Sequence, residues 1–212
     1  MRVSSHSVLF IFGMILSSCA SMQTAGTMQS GRQALFRGDH EVALGYFREV
    51  AERNPNFVYG TALRQGIWSY VGRAAYLNGQ FPQARQSLER ALVANQSEDV
   101  ARLYLGLSLA RGGDYMRGVK EIEEGMKGIH GWLEYVAEAH RFSFGQFWDP
   151  GRTIRNAIEK SLAVISDERG SREQIIADAE WLGKEMEEEV DRAQQQESRE
   201  RSREGGDRGA RR

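Results

Sequence analysis

His130 and Glu134 lie four positions apart, the spacing at which two side chains share one face of a helix. Together they offer a cation two ligands, whereas zinc takes three or four from a protein, so the pair alone predicts no metal centre. The other histidines are His6, His40 and His140. Cys19 is the only cysteine, which excludes an intrachain disulfide and any multi-thiolate metal site. The chain carries no H-E-x-x-H, no G-x-S-x-G and no phosphate-binding glycine loop. No constellation of acid, base and nucleophile stands out, so the expectation is a protein that binds rather than catalyses, without a cofactor. Net charge is −1. The arginine-rich tail is interleaved with Glu197, Glu200, Glu204 and Asp207, which blunts its pull on nucleic acid.

The elements that must position any site are set by an internal repeat. Trp68-x2-Val71-Gly72-x2-Ala75 is followed by Gly79, Phe81 and Ala84-x3-Leu88-x2-Ala91. Arg102-x2-Leu105-Gly106-x2-Leu109 is followed by Gly113, Tyr115 and Gly118-x3-Ile122-x2-Gly125, each marker about 34 positions later. A third copy lies upstream as Gly31-x2-Ala34, Gly38, His40 and Ala43-x3-Phe47-x2-Val50, ending at Pro55. Its uniform offset of about 41 positions implies one insertion of about seven residues, read at Phe57 to Leu63 as an extension of the helix carrying Trp68. Small residues at Gly72, Ala84, Gly106 and Gly118 suit close helix crossings, and the glycines at 79 and 113 suit helix stops.

On these markers the chain resembles the tetratricopeptide repeat proteins over roughly Thr24 to Lys127. The resemblance implies an all-α solenoid of antiparallel helical hairpins whose first helices line a concave groove. The positions facing that groove map onto Arg32 and Leu35, then Ser69, Arg73, Tyr76 and Leu77, then Leu103, Leu107 and Arg111. Guanidinium and tyrosine groups on a curved surface suit a peptide carrying carboxylates. Ser69 and Arg73 do not match the carboxylate clamp of chaperone-binding members, so that ligand class is not carried over.

Residues 1–18 read as an export signal: Arg2, the apolar run Val8 to Leu16, then Leu16-Ser17-Ser18-Cys19. The last four residues resemble the bacterial lipoprotein box, which implies that Cys19 is acylated and becomes the mature N-terminus. Ala20 after it resembles lipoproteins sent to the outer membrane, facing the periplasm in a Gram-negative host. Residues 19–30 are then a tether and residues 31–127 three repeats. Residues 128–166 read as a degenerate fourth hairpin, in which Asp149-Pro150 is the helix start.

Ser171 and Gln174 form a candidate capping box for a helix over 168–193. Its stripe Ile175, Ala179, Leu182, Met186 and Val190 predicts a cap on the open end of the solenoid. Its acidic face, Glu185, Glu187, Glu188, Glu189 and Asp191, is expected outward. Residues 194–212 lack large apolar side chains and read as disordered. Phe142, Phe144, Phe147 and Trp148 are either core or a docking patch. The expected function is a membrane-anchored scaffold or adaptor of the bacterial envelope that binds a partner protein or peptide in the groove. The alternative is a self-assembling structural lipoprotein, its copies paired through the stripe of the last helix.

Overall fold

Three turns of identical construction divide the first two thirds of the chain. Gly38, Gly79 and Gly113 all take left-handed backbone, with φ of +82°, +72° and +103°. The residue after each donates its N–H across the turn: Asp39 to Ala34 O, Gln80 to Ala75 O and Asp114 to Leu109 O, each at 2.9 Å. This closure ends one helix and starts its antiparallel partner, and only glycine enters the left-handed region without a Cβ penalty.

The structure, a computed structural model, describes residues 22–167 and 170–210. Cys19 and the segment read as an export signal lie outside the described residues. The hairpins pair α1 (residues 22–36) with α2 (His40–Arg53), α3 (Ile67–Leu77) with α4 (Phe81–Ala94), and α5 (Asp99–Arg111) with α6 (Tyr115–Ala139). The fold is all-α, stacked helical hairpins broken by one small β-hairpin. Among the described residues no helix is long and apolar enough to cross a membrane.

The small residues stand where helices meet. A Cβ on Gly72 would lie 2.4 Å from Leu88 Cγ, and one on Gly106 would lie 2.5 Å from the Ile122 backbone nitrogen. Ala43 and Ala84 are fully buried at the matching positions of α2 and α4. Large residues of the second helices, Phe47, Leu88 and Ile122, fill the space between and are also fully buried. Burying each such side chain contributes on the order of 1.5–3 kcal/mol.

Several boundaries differ from the sequence reading. The segment expected as a tether is helical from residue 22, because Thr24, Met28, Arg32 and Leu35 recur on one buried face. The insertion does not lengthen the next helix. It forms an antiparallel pair, β1 (Val58–Tyr59) and β2 (Gln65–Gly66), in which Tyr59 faces Gln65 and Gly60 turns at φ +96°. No break follows Lys127: Ile122, Met126, Ile129, Leu133 and Val136 keep one buried stripe in phase, so α6 runs 25 residues.

The end of α6 packs on α7 (Thr153–Ser166), with a short 3₁₀ turn at Phe144–Phe147 between them. Asp149 does cap α7, but from outside it, because Asp149 and Arg152 take left-handed backbone and delay the start to Thr153. The Asp149 carboxylate accepts the N–H groups of Ile154 and Arg155 at 3.0 and 3.1 Å. In the aromatic cluster Trp148 is buried, Phe144 and Phe147 pack against the core, and Phe142 is 87% exposed.

The last helix, α8 (Arg172–Ala210), departs most from expectation. Ser171 caps it, its Oγ accepting the Gln174 N–H at 3.1 Å. It continues through the residues expected to be disordered, where Arg, Glu and Gln are good helix formers. It does pack on α7 and the 3₁₀ turn at the end of the stack, but it does not stop there. It returns across the first helices of the hairpins, meeting α1 and α3 through ion pairs and packing on α5.

Candidate functional site

The groove residues lie on α1, α3 and α5, as the repeat register requires, but most are covered. Arg32 and Arg73 are 1% and 2% exposed. Leu35, Ser69, Tyr76, Leu103 and Leu107 are also buried. Only Leu77 and Arg111 keep substantial exposure. The cover is α8, whose stripe Ile175, Ala179, Leu182, Met186 and Val190 is buried among the chain's own helices.

The arginines do bind carboxylates, and those carboxylates belong to the same chain. Arg32 donates through Nε and Nη2 to Glu187 Oε1 at 2.9 and 2.7 Å, and Nη2 also meets Asp191 Oδ1 at 2.7 Å. Arg73 donates through Nη1 to the other oxygen of Glu187. One carboxylate thus bridges two guanidinium groups from adjacent hairpins. The next contact along α8 repeats the theme: Glu180 Oε1 accepts from Arg111 Nη2 at 2.9 Å and from the Tyr76 hydroxyl. Glu180 and Glu187 are seven residues apart, two helical turns or roughly 10 Å, which matches the spacing of neighbouring stacked helices.

The small β-hairpin completes this seam. Tyr59 accepts from Arg32 Nη1 at 2.8 Å, and Gln65 Oε1 accepts from Arg73 Nη2 at 2.6 Å. Tyrosine rings lie against both cations, Tyr59 at 4.6 Å from the Arg32 guanidinium and Tyr70 at 4.7 Å from that of Arg73. Burial alone would raise the Glu187 carboxyl, but the charges of Arg73 and Arg32 outweigh it and hold the group below its usual range. Burial raises the Tyr104 phenol to about 12, so it stays protonated.

The acidic face of α8 is therefore partly inward. Glu187 and Glu189 are buried, Glu189 accepting the Asp149 backbone N–H, while Glu185 and Glu188 are half-buried. Sequence reasoning identified the arginines but missed Glu180, Glu187 and Asp191 as their partners. The readable signal was the spacing of these three acids beside the apolar stripe, which puts them at one helix face.

The part of the groove that α8 leaves open is a cleft of about 650 Å³ near the first two inner turns. Leu35, Phe36, Tyr76, Leu77, Phe81 and Trp181 supply its apolar walls. Arg73, Arg111 and Lys184 line it together with Glu187, Glu180 and Glu188. This volume lies within the roughly 300–1,000 Å³ typical of ligand sites. Five residues singled out from sequence, Leu35, Arg73, Tyr76, Leu77 and Arg111, are brought together here, while Ser69, Leu103 and Leu107 are core and Arg32 belongs to the seam.

A second cluster forms on α6 and α7. Glu159 joins the His130–Glu134 pair, with His130 Nε2 3.0 Å from Glu159 Oε1 and 4.0 Å from Glu134 Oε1. Three possible ligand atoms come within 4.8 Å of one another. Arg152 Nη2 already stands 2.7 Å from Glu134 and 3.3 Å from Glu159, and Arg155 Nη1 stands 3.3 Å from Glu134. A guanidinium thus lies where a bound cation would have to compete, and the arrangement is an ion-pair network.

The geometry offers a helical surface with a charge-matched seam and an apolar cleft. No protein-family model matches the chain, and no curated protein is found to be similar to it.

Proposed function

We propose that this protein is a tetratricopeptide-like interaction module, anchored in the bacterial envelope through a lipid on Cys19, that docks a partner segment in the open cleft. The observation that carries the reading is the cleft itself. Phe36, Leu77 and Trp181 line it and stay more than a third exposed, an apolar concavity of the kind that serves as an interaction surface. The export signal and lipoprotein-like box support the envelope location. The self-assembly alternative rested on the stripe of the last helix, which is covered within the chain, and so would need another surface.

The test is a photo-crosslinking amino acid at Leu77, in native membranes, beside one at Val93, an exposed residue of α4 that does not line the cleft. A single adduct with a foreign protein from Leu77 and none from Val93 is expected. Adducts only between copies of this chain would turn the reading toward self-assembly. A wild-type protein whose mature mass shows no lipid would end the anchoring claim.

A further inference from the structure

The cleft's ligand can be read from what its charges already do. Arg73 is paired with Glu187, Arg111 with Glu180, and Lys184 with Glu188 at 3.7 Å. Each of its three cations thus has an acidic partner that also lines the cleft. An acidic ligand would have to displace Glu180 or Glu187 or else meet their repulsion. A basic ligand would face the same difficulty at the arginines.

The walls between these pairs are aromatic and aliphatic. Phe36, Leu77 and Trp181 at 43%, 37% and 38% exposure keep the cleft an open trough, suited to a chain segment that enters and leaves.

We infer that the cleft takes an uncharged peptide segment bearing at least two large apolar side chains. This rests on the docking role proposed above and names its chemistry. It replaces the carboxylate-bearing peptide implied by the sequence: the arginines that suggested it are already neutralised by α8.

A random-peptide phage library panned on the full chain, with Leu77→Asp as counter-target, tests this. Enriched sequences should lack Asp, Glu, Lys and Arg and carry two or more of Leu, Ile, Phe or Trp. A synthetic copy of one should bind with less than about twofold change between roughly 50 and 500 mM salt, since no ion pair forms. Leu77→Asp should weaken it by more than about tenfold with helix content unchanged. Enrichment of acidic peptides with steep salt dependence overturns the inference. So does the absence of any peptide that distinguishes wild type from Leu77→Asp, or saturation of the cleft by a fatty acid with no peptide enriched. A partner crosslinked at Leu77 alongside any of those results would leave the docking site standing and remove only its chemistry.

Discussion

The molecule holds two clusters built from the same residue types, arginine and glutamate, in opposite surroundings. On α8, Glu187 bridges Arg32 and Arg73 with almost no access to water. On α6 and α7, Glu134 and Glu159 share Arg152 and His130 at the surface. In the first, each charge has lost its hydration and depends on its partners. In the second, the buried Arg155 apart, the groups are open enough for water to replace a partner that leaves. Similar contact distances therefore imply very different energies, and the buried cluster is the one that fixes where an element sits.

The largest effect is expected from Glu187→Ala. It leaves two guanidinium groups buried without their shared carboxylate, a change that costs about 3–5 kcal/mol. Denaturant unfolding should show the loss. Replacing Arg32, Arg73 and Glu187 together by apolar residues of similar size should be near neutral or stabilising, because the desolvation cost goes too. If the triple variant is as unstable as the single one, the seam is contributing more than its charges.

Acid should act on the same seam. The Glu187 carboxyl is held below its ordinary value of 4.5, so its contribution is fully present above that pH. It is lost as pH falls through the lowered folded value. Midpoints measured from pH 7 down to pH 2 should therefore fall more steeply for wild type than for Glu187→Gln. Parallel curves would mean the seam does not titrate with folding.

The smallest effect belongs to the exposed network. Glu159→Ala should barely move the midpoint, and any difference should vanish in high salt. A drop comparable to that of Glu187→Ala would erase the contrast between the two clusters.

The same contrast separates what could be read in the sequence from what could not. The hairpins were legible because their contacts are local: Gly72 meets Leu88, and Gly106 meets Ile122, sixteen residues on in each case. Arg73 and Arg111 were legible as a charged row on successive inner helices. Their occupant was not, because Arg32 and Glu187 are 155 residues apart. An apolar stripe beside acids describes a terminal cap and a groove-filling helix equally well. Two-residue strands at 58–59 and 65–66 are too short for alternation to appear. The unbroken α6 was masked by Gly125, Gly128 and Gly131, which flank Lys127 and read as helix stops, although the apolar stripe keeps its period across them.

The return of α8 changes the kind of object this chain is. A stack whose units touch only their neighbours behaves as a row, in which each unit can open or be removed with limited news reaching the far end. Here the last helix grips the first, and the row becomes a closed loop. Opening α1 breaks the Glu187 seam, which loosens α8 and removes the cover from α3 and α5. Shortening the chain ahead of Glu187 should thus be felt at residue 32 as strongly as at the cut, with the body melting as one cooperative unit.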